Sequence, residues 1–117
     1  MTDTPYYHVI IKKFTKELPP GYWEKVHEIC ARIRVEVPGC LEFYQAPNVS
    51  GFKKTWTHIH LSKFTSKEAH DAYQVHPLHN LLVELSVPLM EAVVGDVDVA
   101  LETAEGRNEL PPDRARV

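Results

Sequence analysis

The stretch YYHVIIKKF, residues Tyr6–Phe14, alternates between two faces and carries β-branched residues at its centre. This pattern predicts a β-strand. One face of the strand carries Val9 and Ile11, and the other carries His8, Ile10, Lys12 and Phe14. Because both faces include apolar side chains, we expect the strand to be covered on both sides.

The rest of the chain predicts five further elements around this strand, and the second helical element has two segments. They are a helix carrying Val26–Val37, strands at Leu41–Ala46 and Thr55–Phe64, a helix that begins at the capping pair Thr65 and Glu68 with Ala69, Ala72 and Tyr73 inward, a helical segment from Leu78 that resumes after a break at His76-Pro77, and a strand at Val93–Leu101. The order β-α-β-β-α-β is that of the ferredoxin-like α+β fold, whose helices cover one face of the sheet. The apolar second face favours a homodimer.

Length and composition limit the possible functions. The chain has 117 residues, of which 44% are hydrophobic and 25% charged, as in one globular domain. A formal charge of −3 argues against nucleic-acid binding, and no apolar run approaches the ~20 residues of a membrane span. Because Cys30 and Cys40 lack motif spacing and no signal-like stretch begins the chain, we expect a cytoplasmic protein with reduced thiols.

The string Tyr73-Gln-Val-His76-Pro-Leu-His79 resembles the stress-responsive dimeric α/β-barrel family. Further segments in that family's order are His8–Phe14, Val37-Pro38-Gly39, Thr57-His58-Ile59 with Phe64, and Asp96. The resemblance covers roughly Tyr7 to Val99. It implies a homodimer whose two sheets build a barrel, with a pocket between each sheet and its own helices. We therefore expect a dimeric barrel domain at residues 1–104, followed by an extension at residues 105–117.

Members of this family differ in function. They include plant heat-stable proteins, uncharacterised bacterial proteins, a plant polyketide (olivetolic acid) cyclase and a plant hydroxynitrile lyase, so the fold alone does not choose an activity. In the polyketide cyclase, the residues that match Tyr73 and His79 carry the catalysis. Histidine has a pKa suited to removing a proton next to a carbonyl group, and a phenol can donate to the developing enolate oxygen. Tyr73 and His79 are thus the predicted acid–base pair.

Strand parity places His8 and His58 on faces that can coincide, and the first and third strands of this fold are neighbours. We expect these two histidines to stand close together and to support the catalytic pair. The predicted substrate contacts are His27, His60, Lys12, His76 and Leu82. Lys12, His60 and Ser62 share the face of His8, which favours a polar or aromatic substrate over a long alkyl chain. We expect no carboxylate on this face, and His70 on a solvated helix surface.

Each of these side chains also has a structural interpretation. His8 and His58 can bridge two strands, Tyr73 can be a core aromatic residue, and His76 can fix the helix break by bonding the backbone. These residues and the resemblance together predict a lyase or cyclase that uses no cofactor or metal and performs aldol or retro-aldol chemistry on a small aromatic or polyketide-like carbonyl compound. One alternative is a non-catalytic, stress-associated dimer that binds a hydrophobic or phenolic ligand. Another is a metal-binding enzyme built on the histidine cluster.

Overall fold

Four strands and three α-helices make up the described part of the chain, residues 4–14, 17–51 and 56–100 of a computed structural model. In chain order they are β1 Tyr6–Phe14, α1 Tyr22–Glu36, β2 Cys40–Pro47, β3 His58–Phe64, α2 Lys67–Gln74, α3 Pro77–Ser86, a 3₁₀ turn at Val87–Leu89, and β4 Met90–Ala100. The predicted β-α-β-β-α-β order is confirmed, with the second helical region divided at His76-Pro77. None of the described helices is long and apolar enough to span a membrane.

The strands form one antiparallel sheet in the order β2-β3-β1-β4. Alternation along β1 directs its even-numbered residues from Tyr6 to Phe14 to the inner face, which the helices cover. The outer face carries the intervening residues and their cross-strand partners, among them Val9, Ile11, Ile59, Leu61, Val97 and Val99. The expectation that the first and third strands are neighbours is confirmed.

The hydrophobic core lies between the inner face and the helices. Val26, Cys30 and Ile33 follow one another at helical spacing on α1 and are buried against Phe43 and other apolar residues of the sheet. This confirms the apolar stripe predicted for the first helix. Both cysteines are free thiols, as expected.

Residues at the helix starts explain two features of the second helical region. Ser66, not Thr65, caps α2, because its hydroxyl accepts a hydrogen bond from the Ala69 backbone N–H at 3.1 Å. The predicted cap was therefore one residue too early. His76 caps α3 in the same way, since its Nδ1 accepts a hydrogen bond from the Leu78 backbone N–H at 3.0 Å.

Other element boundaries also differ from the sequence prediction. β3 begins at His58 instead of Thr55, which lies outside the described residues. β4 begins at Met90 instead of Val93, because Ala92 and Met90 also pair with β1, opposite Lys13 and Phe14, across a register shift. Ala72 is exposed rather than inward. The predicted end of β4 at Leu101 and the extension at residues 105–117 also lie outside the described residues.

Candidate active site

A cavity of about 240 Å³ opens between the inner face of the sheet and helices α2 and α3. Its polar wall comes mainly from the sheet and α2, and its apolar wall comes mainly from α3 and the start of β4. The polar lining residues are His8, Lys12, Gln45, His60, Tyr73, Gln74, His79, Ser86 and Asp96, and the apolar ones are Ile10, Leu82, Val83, Val87, Met90 and Val93. Six sequence-predicted site residues therefore meet at one cavity, namely His8, Lys12, His60, Tyr73, His79 and Leu82.

His79 and Tyr73 contact each other where α2 gives way to α3. Their rings are perpendicular, with 5.1 Å between the centroids. Burial lowers the pKa of His79, so its neutral, proton-accepting form is favoured. Burial raises the pKa of Tyr73 far above its usual value, which keeps the phenol protonated. The pair thus combines a proton acceptor and a proton donor on one wall of the cavity.

His8 is held by a carboxylate that the sequence analysis did not anticipate. Asp98 lies opposite His8 on β4, and its Oδ1 contacts His8 Nδ1, while Tyr6 donates a hydrogen bond to Oδ2 at 2.6 Å. Burial works against ionisation of Asp98, but these hydrogen bonds outweigh it and hold its pKa below the usual value. Because a carboxylate accepts, His8 donates through Nδ1, which leaves Nε2 on the side of Asp96 at 3.8 Å.

Two expectations about this region are therefore wrong. The inner face does carry carboxylates, because Asp96 and Asp98 are two residues apart on β4 and share a face. His70 is only 4% exposed, because it lies three residues before Tyr73 on the side of α2 that packs on the sheet. Its ring stands 4.8 Å from the His8 ring and 4.9 Å from the Tyr6 ring, measured between centroids.

A second series of side-chain hydrogen bonds lies on the sheet side of the cavity. Gln45 donates from Nε2 to His60 Nδ1 at 3.0 Å, and His60 Nε2 lies 3.0 Å from the Ser62 hydroxyl. Because His60 Nδ1 accepts, its proton resides on Nε2 and is directed at Ser62. Burial, reinforced by the nearby Lys12 charge, holds the pKa of His60 well below its usual value. Gln45 links this histidine to Lys12, because Lys12 Nζ donates to Gln45 Oε1 at 3.3 Å.

Three predicted site residues lie away from the cavity lining. His58 pairs with Lys12 rather than standing beside His8, and its ring is stacked between Phe14 and Trp23, at centroid distances of 4.0 and 5.2 Å. The expected His8–His58 proximity is wrong, because the antiparallel register places Ser62 opposite His8.

The other two outlying residues belong to the helices. His27 is exposed on α1 and contacts Trp23, with 5.5 Å between the ring centroids. His76 is engaged in capping α3, which supports its structural interpretation. Neither residue lines the cavity.

Sequence reasoning also missed Gln45, Asp98 and His70. The alternation of Asp96 and Asp98 with valines in β4 is a signal that could have placed two carboxylates on one face. The three-residue spacing of His70 and Tyr73 could likewise have indicated one helix face. Gln45 had no such signal, because its role depends on the pairing of β2 with β3.

One cluster has the composition of a metal site. Ligand atoms of His8, His70 and Asp98 lie within 4.8 Å of one another, and two imidazoles with a carboxylate suit zinc or iron. His70 Nδ1 is buried without a hydrogen-bond partner among the described residues, although it lies 3.5 Å from Asp71 Oδ1. His8 Nδ1 contacts Asp98 directly, so an ion could bind between those two atoms only if they separated.

Comparison with known proteins identifies the family. The Stress Responsive A/B Barrel Domain matches residues 6–99, whereas no curated protein matches the chain significantly. A solved hydroxynitrile lyase from Passiflora edulis is similar at 12% identity and a TM-score of 0.69, over 92% of this chain and 98% of its own.

Two bacterial structures described as dimeric, ferredoxin-like proteins of unknown function are also similar. The one from Thermobifida fusca yx has 16% identity and a TM-score of 0.71, over 85% of this chain and 92% of its own. The one from Jannaschia sp. CCS1 has 28% identity and a TM-score of 0.63, over 85% of this chain and 99% of its own. With a family match that spans most of its length, the chain belongs to the stress-responsive A/B barrel domain family.

Proposed function

We propose that the protein is a cofactor-independent lyase or cyclase that performs aldol or retro-aldol chemistry on a small aromatic or polyketide-like carbonyl compound. The observation that carries this proposal is the contact of Tyr73 with His79 on the wall of a cavity. A volume of about 240 Å³ suits a small substrate. The similar fold of a hydroxynitrile lyase supports lyase chemistry only by analogy.

The proposed roles follow from the protonation states of the two side chains. In the aldol direction, neutral His79 removes a proton from the carbon next to a carbonyl group, and the Tyr73 hydroxyl donates a hydrogen bond to the enolate oxygen. The enolate carbon then attacks a second carbonyl carbon, and the resulting alkoxide takes up the proton that His79 removed, which returns His79 to its neutral form. The retro-aldol direction reverses these steps, with His79 removing the hydroxyl proton as the carbon–carbon bond breaks.

His8 has a supporting role in this proposal. Asp98 fixes its ring through Nδ1, so Nε2 is the nitrogen available to accept a hydrogen bond from a hydroxyl group of the substrate. His58 is not among the residues that line the cavity, and we propose that it acts only through its packing against Phe14 and Trp23.

The proposal is tested by exchange and turnover measurements on variants. Purified protein is incubated in D₂O with hydroxylated acetophenones and β-hydroxy ketones, and loss of the α-proton signal and carbon–carbon cleavage are followed by NMR. We expect His79→Gln to lower the rate by about 100-fold or more, and Tyr73→Phe by a similar order.

His27→Gln is the matched control, because it removes an exposed imidazole outside the cavity lining. It should retain the wild-type rate. A rate that is equal in wild type, His79→Gln and Tyr73→Phe would contradict the proposal.

The non-catalytic alternative is favoured by the apolar wall of the cavity. Leu82, Val83, Val87, Met90 and Val93 suit the body of a hydrophobic or phenolic ligand. A stress-associated binding protein would show ligand-dependent thermal stabilisation without turnover. His79→Gln would then change the affinity or the stability of the protein and no reaction rate.

The metal-binding alternative rests on the cluster of His8, His70 and Asp98. It predicts about one transition-metal ion per chain after dialysis. It also predicts that His70→Gln abolishes this retention, whereas His76→Asn, which alters a helix cap, does not. Protein without bound metal but with full activity would exclude this alternative.

We also propose that the protein is a cytoplasmic homodimer. The outer face of the sheet exposes an apolar surface that includes Leu61, Val97 and Val99. A surface of this kind indicates an interface. The similar bacterial structures are described as dimeric, which supports a symmetric pairing of two sheets.

A further inference from the structure

Lys12 is a buried lysine that forms no ion pair with any of the described residues. Lys12 is only 7% exposed and lines the cavity. The ion pairs among the described residues involve other side chains. Burying an ammonium group without a partner is costly, and proteins normally offset that cost with a counter-charge.

The hydrogen bonds of Lys12 show which of its N–H groups remain available to a ligand. An ammonium group has three donors, and the described residues satisfy one of them, through Gln45 Oε1 at 3.3 Å. Gln45 is held in this orientation because its Nε2 donates to His60 Nδ1. The described residues therefore leave two N–H groups of Lys12 at the cavity, and a carboxylate has two oxygens to accept them.

The remainder of the lining restricts the ligand further. Among the described residues that line the cavity, Lys12 is the only lysine or arginine, which suits a monoanion better than a phosphate. Asp96 lines the same cavity, where its negative charge favours the protonated form of Lys12 and would repel a second anionic group. The opposite wall is apolar, with Leu82, Val87 and Met90, so the rest of the ligand should be a compact apolar or aromatic body.

We infer that the cavity selects small carboxylates, and that Lys12 and Gln45 bind the carboxylate group while the apolar wall formed by Leu82, Val87 and Met90 holds the apolar body. This inference names a substrate class for the proposed acid–base site, so it rests on that site being the binding cavity. Lys12 is a specificity residue in this arrangement, and the proton transfers remain with His79 and Tyr73.

Paired probes that differ in charge and hardly in shape test the inference. The affinities of benzoate and benzamide are measured by titration calorimetry or by NMR, without turnover. We expect wild type to bind benzoate about tenfold or more tightly than benzamide, because only benzoate neutralises the buried ammonium. Lys12→Met should weaken benzoate binding by about tenfold or more and leave the benzamide affinity within about twofold.

Two further variants separate the charge of Lys12 from its effect on folding. Lys13→Met is the matched control, since Lys13 alternates to the outer face of β1 and pairs with Glu91 at 2.8 Å; it should retain the wild-type preference. Gln45→Glu keeps Lys12 but supplies an internal carboxylate beside it. This variant should lose the preference for benzoate while still binding benzamide.

The outcomes distinguish this inference from the proposed reaction. Equal affinities of wild type for benzoate and benzamide, or an equal loss in Lys12→Met and Lys13→Met, would overturn the inference and leave the reaction untouched. His79→Gln should keep the benzoate preference. If that variant also retains full turnover, the acid–base proposal fails while carboxylate selection stands.

Discussion

His60 illustrates how burial sets the protonation of single residues in this protein. Its pKa is held well below the usual 6.5, first by burial and then by repulsion from Lys12. Burial is also the main cause of the lowered pKa of His58, His70 and His79. Each of these rings binds a proton more readily in the unfolded chain than in the folded one, so acid favours unfolding.

We therefore predict that the protein loses stability as the pH falls. The free energy of unfolding keeps its full value above the unfolded-state pKa of 6.5. It declines below that pH, because the histidines then take up protons when the chain unfolds. Each such histidine contributes a slope of up to about 1.4 kcal/mol per pH unit. The free energy of unfolding is measured by urea denaturation between about pH 8 and about pH 5.

His60→Gln removes one of the four rings and should flatten this pH dependence, whatever its effect on stability at neutral pH. His27→Gln, at an exposed helix position, is the control and should keep the wild-type slope. A pH dependence that His60→Gln leaves unchanged would show that His60 is not a source of the acid sensitivity.

For single residues, the sequence predicted which side chains share a face of the sheet, but it did not predict which side chains contact one another. Alternation correctly placed His8, Lys12 and His60 on the inner face, because the side-chain period of a strand is local. The separation of His58 from His8 follows from the pairing register of β1 with β3, which depends on residues far apart in the chain. The Asp98–His8 contact also joins residues 90 positions apart.

Gly39 connects two secondary-structure elements at the point where α1 leads into β2. Its φ of +81° is one that residues with a Cβ rarely adopt. A Cβ on Gly39 would lie 2.6 Å from Ala69 Cβ on α2 and 2.9 Å from Thr65 Oγ1. The close approach of β2 and α2 therefore requires a residue without a side chain at this position.

We predict that Gly39→Ala destabilises the fold by about 2–4 kcal/mol, from backbone strain together with the clash against Ala69. Gly21→Ala is the matched control, because Gly21 has a similar φ of +79° but its Cβ would meet only Glu24 Oε2, at 3.4 Å. It should cost about 1 kcal/mol, from strain alone. Thermal and urea unfolding of both variants measure the difference, and equal losses would contradict a role for the α2 contact.

The elements themselves were largely predictable because their signals are local. Tyr6–Phe14 alternates, Val26, Cys30 and Ile33 recur at helical spacing, and His76-Pro77 interrupts the second helical region. The early start of β4 was not predictable, because it results from pairing with Lys13 and Phe14 through register shifts. Tertiary pairing thus extended a strand beyond the residues with strand-like sequence.

The whole molecule has a polar cavity on one side of its sheet and an apolar surface on the other. On the outer face, Leu61 is 40%, Val97 52% and Val99 38% exposed. All three lie on strands that pair directly with β1. A monomer would leave this apolar surface in water at a cost of about 25 cal/mol per Å². Pairing with a second sheet would remove that cost and leave the cavity, on the inner face, accessible.

The prediction at this scale is that association depends on the outer face alone. Light scattering after size exclusion should give wild type about twice the chain mass of 13.4 kDa. Leu61→Lys should shift the protein to the monomer mass, because a lysine buried in an apolar interface has no counter-charge. Val35→Lys changes an equally apolar but 84% exposed residue of α1 and should remain dimeric. If wild type is monomeric, or if both variants dissociate, the outer face is not the interface, and its apolar residues must serve another partner.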